Sequence, residues 1–223
     1  MNHNKNRQNP SASQPKTAKH GQASHQVRII GGAWKRTPLT VITAEGLRPT
    51  PDRVRETVFN WLNHLFDGQW GQVSCVDLFA GSGALGFEAA SRGATKVSMI
   101  ESFTPAYRQL EEVKQKLKAD QIHLQRGDAQ VALKTMATKG EKFELIFLDP
   151  PFHQGLLEKV LPQCVQILAD GGVVYAESEH PLSSRDINEL PTYCQGWNIL
   201  REDKAGSVYF HLLQRNTESS ESD

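Results

Sequence analysis

Cysteine is scarce in this chain: only Cys75, Cys164 and Cys194 occur in 223 residues. Their spacing matches no metal-ligand pattern, and the odd count excludes a fully paired disulfide framework. Cys75 falls within an apolar strand pattern and reads as a small core residue. No apolar run approaches membrane-spanning length, and the N-terminus lacks the stretch expected of a signal peptide. A reducing, cytoplasmic setting without a membrane partner is therefore expected. Large apolar side chains are nearly missing from residues 1–26, which are rich in Asn, Gln, Ser, Lys and His. Such a segment cannot offset its ordering entropy by burial, so it reads as a disordered basic and polar tail. Residues 216–223, NTESSESD, read as a disordered acidic one. The modest hydrophobic fraction of 38% is thus a local deficit, and the rest can form one ordinary domain.

Net charge is absent too, with 25 basic and 25 acidic side chains. That balance conceals an asymmetry. From Met1 to Arg55 ten Lys or Arg face only Glu45 and Asp52, a local charge of +8, so the remainder carries −8. A basic front on an acidic body suits a polyanion met by one face, with a solvating, partnerless tail as the alternative.

What is abundant is alternation. Apolar runs at Val73–Phe79, Lys96–Glu101, Ile122–Arg126, Phe143–Asp149 and Gly172–Glu177 have strand character. Helical spacing fills the gaps at about Ala84–Arg92, Pro105–Ala119, Ala129–Thr138 and Gly155–Leu168. Trp197–Glu202 and Val208–Leu213 flank DKAGS as a closing hairpin. This order predicts an α/β fold: a mostly parallel seven-stranded sheet with a C-terminal antiparallel hairpin and helices on both faces. Ahead of it, residues 27–66 form an N-terminal extension, with VRIIGGAWKRTPLTV as a small hairpin or arm. A helix then begins near Thr50 as cap, Pro51 at the first helical position and Asp52 at the positive helix end. Val54, Val58, Trp61, Leu62 and Leu65 recur at helical spacing, which assigns Trp61 to packing. The main domain spans 67–215.

Ligands of such sheets bind beyond the carboxyl ends of the strands. At the first of these ends, VDLFAGSGALG sets Gly81, Gly83 and Gly86 in a G-x-G-x-x-G turn, a weak signal alone. Glu101, twenty residues past Gly81, can accept hydrogen bonds from two ribose hydroxyls, in a dinucleotide or in S-adenosylmethionine alike. Asp77 favours the second, because a negative charge there helps an ammonium and a sulfonium rather than a pyrophosphate. Asp128 in GDA suits an adenine amino group, or it caps the next helix. At the fourth strand tip stands DPPF. An exocyclic amine is a poor nucleophile until two acceptors hold its hydrogens. The Asp149 carboxylate and the Pro150 carbonyl supply two, Pro151 stiffens them, and Phe152 offers a face for stacking a base. Planar amino groups of RNA, of DNA adenine and of a protein glutamine all suit this device. A nucleotide- or RNA-binding module without catalysis and an NAD-linked enzyme are the readings from other classes.

The blocks GLRPTPDRVRETVFNWL, DLFAGSGALGFEAASRGA and DPPF together resemble the RsmD family of 16S ribosomal RNA (guanine-N2)-methyltransferases, which modify guanine 966. The likeness runs from roughly Val27 to Arg215. It implies a Rossmann-like fold holding S-adenosyl-L-methionine through Asp77, Phe79, Ala80, Gly81, Ser82, Gly83, Glu101, Asp128 and Ala129. Arg48, Pro49 and Thr50 are expected to fold over the cofactor. Asp149, Pro150, Pro151 and Phe152 would hold the target amine. Arg28, Lys35, Arg36, Arg53 and Arg55 would meet phosphates of 16S RNA, in the small subunit or an assembly intermediate. A monomer without a metal is expected, and His20 and His25 inherit no role.

Overall fold

The structure is a computed structural model that describes Met1 and residues 26–42, 51–183 and 190–216. Nearly all of both predicted tails, and Arg48, Pro49, Thr50, His20 and His25, lie outside the described residues.

Two short strands open the described chain, β1 (Gln26–Arg28) and β2 (Pro38–Thr40), paired antiparallel as the predicted hairpin. Helix α1 (Asp52–Leu65) follows. Pro51 has ψ 148°, so it stands just outside the helix as its cap rather than at the first helical position. The sheet domain then runs β3 (Ser74–Asp77), α2 (Ala84–Arg92), β4 (Lys96–Glu101), α3 (Thr104–Leu117), β5 (Ile122–Arg126), α4 (Ala129–Thr138), β6 (Phe143–Leu148), α5 (Leu156–Val160), β7 (Leu168–Ser178), β8 (Trp197–Ala205) and β9 (Val208–Arg215). The helix expected over Gly155–Leu168 is broken. Only Leu156–Val160 is α-helical and Leu161–Gln166 tightens to 3-10, because Pro162 has no N–H for the α ladder.

Strand order is β5-β4-β3-β6-β7-β9-β8, parallel from β5 through β7 and antiparallel at β9. The chain winds outward from β3 through β4 to β5, then crosses back to lay β6 on the other flank of β3. The order reverses between β3 and β6, which opens a crevice at their carboxyl ends. Both strands are buried on both faces, as a parallel sheet between helix layers requires.

Period-two alternation sends Cys75, Met99, Phe147 and Tyr175 into a core under the hairpin, α1 and α2, and Val76, Ile100, Ile146 and Val174 into a second core under α4 and α5. In the first, Phe59 of α1 lies 5.7 Å from the Trp70 ring and 5.9 Å from Phe147, while Trp61 stacks on Phe210 at 5.5 Å. Trp61 is packing, as its spacing predicts. All three cysteines are buried and unpaired.

The hairpin is held by a buried acid. Glu88 of α2 accepts the Ile30 N–H at 2.6 Å and the Gly31 N–H at 2.8 Å, and it pairs with Arg92 at 2.7 Å. Ser91 donates to the Gly31 carbonyl and accepts from the Trp34 N–H. Gly32 has φ +74°, and a Cβ there would lie 1.8 Å from the Ser91 carbonyl oxygen, so only glycine lets the turn approach this closely.

If α1 is fixed to the sheet chiefly by its aromatic contacts, Phe59→Ala should cost about 3–5 kcal/mol of unfolding free energy. Chemical denaturation measures it, and a loss below about 1 kcal/mol would mean that α1 contributes little to the core.

Candidate active site

Four acids continue the alternation that builds the first core, one at the tip of each of four adjacent strands: Glu101 on β4, Asp77 on β3, Asp149 after β6 and Glu177 on β7. Register orders them in depth. Asp77 pairs with Met99 on one side and Phe147 on the other, and Phe147 pairs with Tyr175. Asp77 therefore sits one row below the other three, which lie two residues further along their strands. It is 1% exposed and Glu101 9%, whereas Asp149 is half-buried.

Depth sets the chemistry of Asp77. Burial, then the nearby Glu101 charge, push its carboxyl up to about 7, against opposing backbone N–H bonds from Phe79 and Gly86. Glu101 is held differently. Its Oε2 accepts the Gly81 N–H at 2.7 Å and its Oε1 the Phe103 N–H at 2.6 Å, so one carboxylate ties the glycine turn to the tip of β4. The turn needs its glycines: Gly81 has φ +52°, and Gly83 has φ +80° with Phe87 and Leu110 where a Cβ would stand. Gly86 presses against Met99, a packing role. Among the described residues, a Cβ added at Gly81 would meet only the Phe79 carbonyl at 4.0 Å, which leaves room for a ligand against that backbone.

Other predicted residues divide. Ser82 is half-buried in the turn. Ala80 is buried, and Phe79 packs against the second core. Asp128 caps α4, its Oδ1 accepting from Gln130 at 2.9 Å and Val131 at 3.0 Å, and buried Ala129 offers only backbone. Pro150 is buried, with Pro151 and Phe152 half-buried at the mouth.

Of the predicted phosphate contacts, Lys35, Arg36 and Arg53 are exposed; Arg28 is exposed but pairs with Asp52 at 2.9 Å. Arg55 is a correction. Its side chain is 0% exposed, on the same helical face as Val58, Phe59 and Leu62, so it cannot meet RNA from the surface. Its Nη2 donates to the Arg28 carbonyl at 2.9 Å and to Asp52 at 2.6 Å, while Nε and Nη1 are buried without an acceptor among the described residues. Sequence reading also missed Glu177 and Phe103. Glu177 is 4% exposed and accepts the Tyr175 hydroxyl at 2.8 Å. Burial raises Tyr175 far above the usual phenol range, and Glu177 and Asp149 add to this against the Arg55 charge. An acid ending an apolar strand was the available signal, the same one that marked Glu101. Phe103, 41% exposed beside Glu101, carried no signal beyond its neighbour.

Among the described residues no group of three or more His, Cys, Asp or Glu side chains is placed to hold a metal, and no helix is long and apolar enough to cross a membrane.

Because Asp77 binds its proton more tightly when folded, stability falls as pH rises from its unfolded value near 3.8 to about 7; the loss is complete above about 7 and absent below about 3.8. Asp77→Asn keeps an acceptor for the two N–H groups. It should stabilise the unliganded protein by on the order of 4 kcal/mol at pH 8 and by almost nothing at pH 3.5. Urea melts of both proteins across this range measure the difference; a pH-independent one would contradict the buried charge.

Residues 27–214 match the family described as conserved hypothetical protein 95. A relative from Escherichia coli (strain K12), named ribosomal RNA small subunit methyltransferase D, is 42% identical over 198 residues, which is 87% of this chain and 93% of the relative. The solved structure of yhhF from Escherichia coli, titled as a candidate methyltransferase, superposes with a TM-score of 0.68 at 38% identity, covering 86% of this chain and 98% of that one. A further candidate methyltransferase, solved in complex with SAH, shares the fold at 15% identity with a TM-score of 0.61, over 79% of this chain and 53% of that one.

Proposed function

The chain belongs to the conserved hypothetical protein 95 family, and from that premise we infer that it is an S-adenosyl-L-methionine-dependent methyltransferase of small-subunit ribosomal RNA. The observation that carries the reading is the row of acids at the reversal of strand order, with Asp77 buried beside an open glycine turn.

Those residues fit the cofactor. A buried carboxylate raised to about 7 gains most from a neighbouring cation, and the donor carries an ammonium and a sulfonium. When bound, the donor supplies an electrophilic methyl group. Glu101 keeps lone pairs beyond its two backbone bonds and accepts from the ribose hydroxyls. Asp128 faces the adenine end while capping α4. Gly81 and Ser82 line the approach, with Phe79, Ala80, Gly83 and Ala129 as the frame behind them.

The amine is handled on the β6 side. Asp149 would accept one amine hydrogen and the Pro150 carbonyl the other, which frees the nitrogen lone pair from conjugation, and the Asp149 carboxylate would take the proton that the methylated nitrogen gives up. Pro151 keeps the two acceptors aligned, and Phe152 stacks the base. No covalent nucleophile is needed; positioning and electrostatics supply the acceleration. We propose the N2 amine of guanine 966 in 16S RNA as the acceptor, on the family resemblance, in the small subunit or an assembly intermediate. Lys35, Arg36, Arg53 and Arg28 hold the RNA backbone. The protein then works as a monomer in the cytoplasm.

Labelled donor, unmodified 16S RNA and unmodified small subunits test this, with nucleoside mass mapping of the product. N2-methylguanine at one position is expected; label only in DNA adenine or protein glutamine would overturn the reading. Asp149→Ala should lower kcat at least about a hundredfold while donor affinity stays within about threefold.

A further inference from the structure

Resting on the methyltransferase reading, we propose that Glu179 is a positioning residue for the amine-holding loop and acts through the backbone of His153. The loop from Asp149 to Gly155 leaves β6 and must reverse before α5 begins. It does so through two left-handed residues, His153 at φ +62° and Gly155 at φ +59°. Glycine takes that conformation freely, but a residue with a Cβ resists it. A left-handed histidine persists only where its surroundings over-determine it.

Glu179 provides that determination. Its Oε2 accepts the His153 backbone N–H at 3.0 Å, and its Oε1 lies 2.5 Å from His153 Nδ1. One carboxylate thus grips both the backbone and the ring of a single residue. The grip is anchored outside the loop, since Glu179 immediately follows β7, the strand paired with β6 through Leu148 and Ala176. Burial does not hold the histidine in place, because its side chain is 87% exposed.

The consequence reaches the reaction. Rings fix φ at Pro150 and Pro151, so between Pro150 and His153 only Phe152 and His153 keep φ freedom. Glu179 removes the freedom at His153. Without it, His153 relaxes toward negative φ, the bend before α5 opens, and the Phe152 ring and Pro150 carbonyl lose their shared orientation. Glu179 touches neither donor nor base in this account, so its effect belongs in kcat.

Three variants test this against the wild-type chain: Glu179→Ala, His153→Gly and the double substitution, each with kcat, KM for donor and RNA, and a thermal melt. Glu179→Ala should lower kcat about 5- to 10-fold, the equivalent of one left-handed residue's preference, with KM for donor within about twofold. His153→Gly should remain within about twofold of wild type, because glycine holds the bend unaided. The double variant should regain at least half of the lost rate, which a general structural role would not produce. An active wild type with unchanged Glu179→Ala overturns the proposal, as does a double variant no faster than Glu179→Ala. No transfer by the wild-type chain overturns the methyltransferase reading and this proposal with it.

Discussion

Carboxylates of like charge, side by side at the ends of adjacent buried strands, repel one another in a medium that screens poorly. Glu101, Asp77, Asp149 and Glu177 form such a row, and each is accommodated differently. Two backbone N–H groups receive Glu101, and the Tyr175 hydroxyl donates to Glu177. The Arg55 guanidinium lies close enough to Tyr175 to oppose the pull of Asp149 and Glu177. Asp77, deepest of the four, meets the repulsion by holding a proton up to about pH 7.

The same demand explains the architecture above the sheet. A fully buried arginine in the first turn of an amphipathic helix is costly by itself. Here it joins α1 to the hairpin through the Arg28 carbonyl, and its charge reaches the Tyr175 hydroxyl beside Glu177. Phe59 and Trp61 fix the rest of α1 over the aromatic rows of the sheet. Glu88 and Ser91 then pin the hairpin to α2, which holds exposed Lys35 and Arg36 in one defined turn. The described, exposed part of the basic front, Lys35 and Arg36, is thus held to α2 by specific buried contacts.

Much of this was legible in the sequence because local chemistry and global fold agree here. The β4, β5, α2 and α4 boundaries follow from period and from Gly, Asp and acid signals at their ends. The strand-tip positions of Asp77, Glu101 and Asp149, and the place of Gly81 in the turn after β3, were readable from the strand pattern. The failures have physical reasons. Arg55 reads as a phosphate contact by residue type, yet the positions of Val58, Phe59 and Leu62 put it on the buried face. Pro162 ended α5 early where apolar periodicity continued. The grip of Glu179 on His153 depends on a backbone angle and a neighbouring strand, neither of which composition or spacing encodes.

In the proposed function Asp77 is a protonated acid that a cationic donor discharges. Calorimetry of S-adenosylmethionine binding near pH 6.5, in buffers of different ionisation enthalpy, reads this directly. Release of about half a proton or more per donor bound is expected, and Asp77→Asn should abolish it. Equal proton release by the two proteins would contradict the account.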